Sequence, residues 1–139
     1  MIEAEELENA RAVAKEFFQE MSDWENWCAE FDIHQPSEET REVRLTKLTA
    51  IFNKYLSSKA LKRKQARYET LSFQRPSAFA RGISSVEPAD SGKVWIYTPI
   101  GPMNGRARYL MEKEGDSWKV DLTERDIANV GKWDRYLFL

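Results

Sequence analysis

Three side chains in the second half of the chain have the types that acid–base chemistry requires: Asp121, Tyr97 and Tyr109. General acid–base catalysis needs a group whose pKa a pocket can move toward neutrality, facing a donor that stabilises developing charge. All three lie on segments with the alternating pattern of β-strands. They are therefore pocket candidates, and the alternative is a surface aspartate with two tyrosines packed in the sheet.

The other reactive residue types form no recognised motif. Zinc sites draw on clusters of Cys and His, and this chain has one of each, Cys28 and His34. The sequence lacks a G-x-x-x-x-G-K-[ST] phosphate loop, a G-x-G-x-x-G turn and a G-x-S-x-G nucleophile elbow. We interpret Cys28 as a small buried hydrophobe and His34 as a solvated turn residue. We predict a protein that is not an enzyme and holds no metal or cofactor.

Acidic residues are concentrated at one end of the chain. Residues 1–42 hold 13 Asp and Glu against 3 Lys and Arg, a balance of −10, whereas residues 43–139 hold 10 against 18, a balance of +8. Such a separation lets an acidic surface steer a basic partner, although the two halves could equally neutralise each other across a packed interface. The candidate partner-binding residues are Asp23, Glu25, Trp27, Glu30, Asp32, Glu38 and Glu39.

Trp27 is the aromatic member of this set. It lies at the edge of an apolar helical stripe, beside Asp23 and Glu30. Tryptophan is enriched among the residues that dominate binding energy, so Trp27 fits an interface anchor. It fits equally well a side chain that covers the rim of the sheet or packs under the C-terminal tail.

A basic run suggests nucleic-acid binding, but the rest of the chain disfavours it. The run consists of Lys59, Lys62, Arg63, Lys64, Arg67 and Arg75. Clustered cations can bind phosphate, yet this run occupies the end of the predicted second helix, where cations also favour the negative end of the helix dipole. The chain is acidic overall, with a net charge of −2, and contains no nucleic-acid-binding module.

Two long helices are predicted to position the acids. Apolar residues at helical spacing, from Phe17 through Trp24 to Phe31, predict a first helix from about Glu3 to Phe31. The segment His34–Ser37 contains Pro36 and ends that helix. Ser37 is predicted to cap a second helix that runs to about Lys62. The residues that this second helix is expected to bury are Leu45, Leu48, Ile51, Phe52, Tyr55 and Leu56.

From Tyr68 onward the apolar pattern changes to a period of two, which predicts antiparallel strands. The predicted strands are Tyr68–Phe73, Arg81–Val86, Val94–Thr98, Ala107–Lys113 and Ser117–Leu122. The turn sequence Glu114-Gly115-Asp116 joins the last two as a hairpin. In the last strand, Trp118, Val120 and Leu122 are expected to be buried, with Asp121 on the wetter face.

These elements predict one α+β domain over residues 1–139, with two helices packed on a curved antiparallel sheet and a tail at about 126–139. No apolar run approaches the roughly 20 residues that a membrane span needs. The acidic N-terminus lacks the features of a secretory signal. A single cysteine fits a reducing compartment. We therefore predict a cytoplasmic protein with no membrane partner.

The order of elements resembles the nuclear transport factor 2-like fold over roughly residues 1–125, with a last strand near Trp118-Lys119-Val120-Asp121. Within it, Phe17-Phe18-x-x-Met21-x-x-Trp24-Glu25 looks like the first-helix signature of the immunity proteins of bacterial polymorphic toxin systems. The resemblance implies a cone-shaped domain that binds and neutralises a cognate toxin by noncovalent occlusion. A toxin that meets the acidic residues would be basic, as nucleases are.

The same fold leaves two alternatives open. One is a small enzyme or ligand-binding protein of the ketosteroid isomerase or polyketide cyclase type, using Tyr97, Tyr109 and Asp121. The other is an assembly module, because the open sheet of this fold supports homodimers. Trp95, Ile96 and Tyr97 would then supply an apolar sheet surface.

Overall fold

The computed structural model describes residues 3–32, 37–64, 82–101, 105–127 and 129–135, and in residues 31, 32, 63, 64 and 135 the backbone alone. The predicted strand Tyr68–Phe73 lies outside the described residues, as do His34, Arg67 and Arg75.

The first helix, α1, spans Ala4–Trp27 and continues into a π-helical turn at Cys28–Asp32. Glu5 and Glu6 lie in its first turn, where the helix dipole favours negative charge. The predicted stripe is buried, since Phe17, Met21 and Cys28 are fully buried and Trp24 is 3% exposed. The predicted first helix is thus confirmed, with a widened last turn.

The second helix, α2, spans Glu38–Tyr55 and begins at the predicted cap. The Ser37 hydroxyl accepts a hydrogen bond from the Thr40 backbone N–H at 3.1 Å, and the Thr40 hydroxyl accepts one from the Ser37 backbone N–H at 2.9 Å. This reciprocal pair satisfies two of the donors that a helix start leaves unpaired. The predicted cap at Ser37 is therefore confirmed.

The predicted end of the second helix at Lys62 is wrong. Leu56 leaves the helix with an extended backbone, φ −86° and ψ 148°, and pairs with Val120. The Ser57 N–H donates to the Val120 carbonyl at 2.9 Å. A separate short helix, α3, then spans Ser58–Lys64. Pairing with the sheet therefore breaks a segment whose local sequence favours one continuous helix.

In the part of the chain that the structure describes, five strands form one antiparallel sheet in chain order. They are β1 Ser85–Pro88, β2 Val94–Tyr97, β3 Arg106–Glu114, β4 Ser117–Asp126 and β5 Asp134–Arg135. A two-residue turn at Gly115 joins β3 to β4, as predicted, and the glycine has a φ of +62°. The short β5, which pairs its backbone with β4, was not predicted.

The helices pack on one face of the sheet. The inner face consists of Val94, Ile96, Tyr109, Met111, Trp118 and Val120, which form one buried cluster with the apolar faces of α1 and α2. Helix α1 contacts α2 and strands β1, β2 and β4. The α+β prediction is confirmed, and the arrangement agrees with the fold that the sequence resembles.

A β-bulge in β4 changes which residues face the core. Met111 pairs with Val120 and Leu110 pairs with Leu122, which leaves Asp121 as the extra residue. Asp121 is consequently buried, with 3% exposure, and Leu122 is only half-buried. The prediction of a wet Asp121 and a buried Leu122 is therefore wrong, because the bulge shifts the alternation by one residue.

Candidate functional site

The acidic end of the molecule is built on the antiparallel pair of α1 and α2. The Trp24 indole N–H donates to the Arg44 carbonyl at 3.1 Å. One turn earlier on α1, Glu20 accepts hydrogen bonds from the Tyr55 hydroxyl and from the Lys54 ammonium, the latter at 3.3 Å. Burial raises the pKa of the Tyr55 hydroxyl, and the bond to Glu20 raises it further. These contacts set the register of the two helices.

A groove of about 460 Å³ runs between these helices. Its lining consists of Glu20, Asp23, Trp24 and Trp27 from α1, and Lys47, Ala50 and Ile51 from α2. Trp24 and Ile51 are buried, whereas Asp23, Lys47 and Ala50 are exposed. The groove therefore joins an apolar floor to a charged rim.

Trp27 forms one wall of the groove. Its side chain is half-buried and packs against the core cluster. The Lys47 ammonium lies 5.5 Å from the centroid of its ring, in cation–π geometry. One part of Trp27 thus packs against the core and another meets a cation of the same chain, while its role as an interface anchor stays a prediction.

The structure places the predicted partner-binding acids on two helical elements. Asp23, Glu30, Glu38 and Glu39 are exposed. The first two lie on α1 and its π-helical turn, and the last two on the first turn of α2. The side chain of Asp32 lies outside the described part of the structure.

The prediction of Glu25 as a partner-binding acid is corrected, because the structure buries its side chain to 2% exposure. It follows Phe18 by seven residues and Met21 by four, so it lies on the same helical face as these buried side chains. Helix α1 packs against several strands of the sheet as well as α2, and its buried face is therefore wider than a single stripe. Glu25 does not belong to the exposed acidic set.

The three pocket candidates lie in different surroundings. Tyr109 is 6% exposed, and its ring centroid lies 4.8 Å from that of Phe18. Tyr97 lies on the opposite face of the sheet, where its hydroxyl accepts a hydrogen bond from Arg108 at 3.3 Å. Asp121 accepts a hydrogen bond from the Ser57 hydroxyl at 2.9 Å, which fastens the bulge to the start of α3. Tyr97 therefore does not share a cavity with the other two.

The outer face of the sheet carries a stack that sequence reasoning missed. The Arg108 guanidinium lies 4.0 Å from the ring centroid of Trp95 and 4.4 Å from that of Trp133. Its charge is paired with Glu124 on the neighbouring strand, at 2.8 Å from Nε. The alternation of Trp95 and Tyr97 could have revealed the strand part of this stack, but the contact with Trp133 depends on the path of the chain after β4.

This stack corrects the apolar sheet surface expected for an assembly module. Ile96 is fully buried on the inner face, so it is unavailable to a partner. Trp95 and Tyr97 are half-buried on the outer face, where Arg108 and Trp133 contact them.

Two lysines of the basic run, Lys59 and Lys62, have side chains that the structure describes. Lys59 lies 3.3 Å from Glu112 and 3.9 Å from Asp121, and Lys62 is exposed.

Among the helices that the structure describes, none has the length and apolarity to cross a membrane.

Two helices pack on the inner face of an antiparallel meander, and the inner aromatic residues form a core with them. The chain is therefore an α+β protein, and it carries a surface groove between its two long helices. The chain belongs to the family described as NTF2 fold immunity protein, whose sequence model matches residues 9–137. It is 26% identical over 133 residues to "Immunity protein RhsIA" of Dickeya dadantii (strain 3937), an alignment that covers 94% of this chain and 97% of that protein. No solved structure matches the chain.

The family supports an immunity role, which implies binding to a cognate toxin. The resemblance drawn from the first-helix residues is thus confirmed, and the enzyme alternative is not favoured.

Proposed function

We propose that this protein binds a cognate bacterial toxin domain and neutralises it by noncovalent occlusion. The family match over residues 9–137 carries this proposal. The relative is itself named an immunity protein, and the alignment spans nearly the whole of both chains. Occlusion needs a rigid surface rather than a reactive side chain, and the helical pair offers one.

The acidic surface is the proposed contact, defined as Asp23, Trp27, Glu30, Glu38 and Glu39. Residues 1–42, which contain it, carry a balance of −10. If the toxin is a nuclease, its substrate groove is basic, and these carboxylates can take the place of phosphates. Charge complementarity of this kind raises the association rate and sets specificity, while buried anchors slow dissociation.

The surroundings of the pocket candidates support a non-enzymatic role. Tyr109 packs with Phe17 and Phe18, and Asp121 holds Ser57 at the junction of α2 and α3. Each of these two residues thus has a structural contact that accounts for its position. Homodimerisation through the outer face of the sheet stays a prediction, which analytical ultracentrifugation at micromolar concentration tests.

Co-expression with the toxin encoded by the neighbouring gene tests the function. We expect cells that make both proteins to form colonies at near-normal numbers, whereas cells that make the toxin alone lose viability. A stable complex should also co-purify by size-exclusion chromatography. If the chain neither rescues growth nor co-purifies with the toxin, the immunity function is wrong.

Charge reversal tests the acidic surface. The double variant Asp23→Lys and Glu30→Lys should lower the association rate constant for the toxin by roughly 10- to 100-fold at low salt, because steering reverses sign. The difference should shrink as ionic strength rises. Stopped-flow mixing measures it.

The matched control for this reversal is Asp116→Lys with Glu87→Lys. Both residues are exposed, and both lie on the sheet side of the molecule, in the β3–β4 turn and on β1. The control applies the same change in net charge, so equal slowing by the two double variants would remove the acidic surface from the argument.

A further inference from the structure

The two carboxylates at the rim of the groove between α1 and α2 differ in whether a cation neutralises them. Glu20 has a cation of its own, because Lys54 lies 3.3 Å away. Asp23 is exposed and accepts its hydrogen bond from the neutral amide of Gln19, at 2.9 Å. In the described residues no cation lies within ion-pair distance of Asp23. The negative charge of Asp23 is thus available to a partner.

The neighbouring wall of the groove already receives a cation. The Lys47 ammonium lies 5.5 Å from the centroid of the Trp27 ring, and the Lys47 side chain is exposed. An indole face attracts a cation through its quadrupole, and the attraction grows when water is displaced. A flexible, exposed lysine gains little from this contact, since holding it costs side-chain entropy. The contact of Lys47 with the Trp27 ring is therefore weak, and a cation that binds the ring more tightly can displace Lys47.

We propose that this groove receives an arginine side chain of the toxin, which stacks on Trp27 and pairs with Asp23. The proposal rests on the immunity function proposed above and names the chemistry of the contact. A planar guanidinium can stack on an indole while its N–H groups donate to a carboxylate, which a compact ammonium does less well. The buried Trp24 and Ile51 in the groove lining supply an apolar floor for the arginine methylenes.

Lys47 then acts as a competitor for the site. It covers the indole face in the groove that Asp23 also lines, so binding of the toxin arginine must move it aside. Removal of the Lys47 ammonium consequently has an unusual sign for an interface residue. It should tighten the complex, whereas loss of either recognition element should weaken it.

Isothermal titration calorimetry with the purified toxin domain of the neighbouring gene tests the proposal. Asp23→Asn, which keeps the shape of the side chain, should raise the Kd by about 10-fold. Trp27→Phe keeps an aromatic ring against the core but weakens the cation–π attraction, and should raise the Kd by roughly 5-fold. Lys47→Ala should lower the Kd by roughly 3- to 10-fold.

Two controls repeat these charge changes elsewhere. Glu87→Gln removes one exposed carboxylate from β1, and Lys132→Ala removes one exposed ammonium from the loop before β5. Both should change the Kd by less than about 2-fold, because they leave the groove intact. Thermal unfolding of every variant establishes that the groove substitutions leave the fold in place.

Each outcome decides between the groove and the function. A Kd that stays unchanged in Asp23→Asn and fails to fall in Lys47→Ala, while the wild-type protein binds, overturns the groove and leaves the immunity function standing. Equal effects in the groove variants and their controls also overturn it, since the effect would then be one of net charge. A wild-type protein that does not bind the toxin overturns both.

Discussion

The substitution Phe17→Ala is expected to lower the free energy of unfolding by about 3–5 kcal/mol. Phe17 is fully buried, and its ring centroid lies 5.6 Å from that of Tyr55 and 6.4 Å from that of Tyr109. Its side chain therefore joins α1 to both α2 and the inner face of the sheet. Removal of the ring loses its transfer free energy and leaves a cavity that these partners cannot fill completely. Urea denaturation followed by circular dichroism measures the change.

The same substitution tests whether the inner aromatics enclose a ligand pocket. A loss below about 1 kcal/mol would mean that the site already holds solvent, as an open pocket does, and would contradict the packed core described above. The control is Ala12→Ser on the exposed side of α1, which should change stability by less than about 0.5 kcal/mol. Since alanine has a higher helix propensity than phenylalanine, a large loss of stability in Phe17→Ala reports the loss of core packing.

Replacement of Asp126 by alanine is expected to release the loop that follows β4. The carboxylate is fully buried and accepts hydrogen bonds from the backbone N–H of Val130, at 3.0 Å, and of Gly131, at 2.8 Å. Arg106 donates to it at 3.4 Å. All these donors lose their acceptor in the variant, so we expect the Tm to fall by roughly 5–10 °C. Differential scanning calorimetry measures it.

The contribution of Asp126 should depend on pH in a defined direction. Burial by itself would raise the pKa of this carboxyl, but the two backbone N–H donors and then Arg106 outweigh it and hold the pKa below its ordinary value. A carboxyl with a lowered pKa in the folded state stabilises the fold above its unfolded pKa, about 3.9, and loses this contribution as the pH falls through the folded pKa.

Asp126→Asn isolates this pH dependence, because it has nearly the same shape and does not ionise. The difference in Tm between wild type and Asp126→Asn should be constant above about pH 5 and should shrink below about pH 4. Asp134→Asn, at an exposed position on β5, serves as the control. A difference that grows as the solution becomes more acidic would contradict the proposed role of Asp126.

The Asp126 contacts explain what the C-terminal segment does within the fold. They turn the chain so that Trp133 lies over the outer face, where its ring centroid is 5.7 Å from that of Tyr97 and 4.7 Å from the Arg106 guanidinium carbon. The backbone joins the sheet as β5 at the next residue, Asp134. The segment that had no place in the family resemblance thus covers part of the sheet.

Local sequence patterns predicted the elements whose formation depends on near neighbours. The apolar spacing in α1, the cap at Ser37 and the two-residue turn at Gly115 all depend on contacts within a few residues, and the structure contains each of them. The predicted end of the second helix at Lys62 was wrong because Val120, more than sixty residues away, draws Leu56 and Ser57 into contact with the sheet.

In the candidate site, too, local features were predictable from the sequence, whereas features that depend on tertiary packing were not. The charges of Asp23 and Glu30 and their exposure were predictable from the side of the helix on which they lie. The burial of Glu25 was not, because it depends on how many strands surround α1. The contact of Lys47 with Trp27 depends on the register between two helices that the sequence does not encode locally.

The sequence by itself determined the α+β class and the helix that carries the acids, because periodicity, capping and composition act over short distances. The likeness to immunity proteins came separately, from the resemblance of the first-helix residues to that family. The tertiary structure alone decided that Glu25 is buried, that a bulge turns Asp121 inward, and that Trp27, Asp23 and Lys47 share a groove. Each of these outcomes depends on packing between elements far apart in the chain, and such packing has no signature in a single segment.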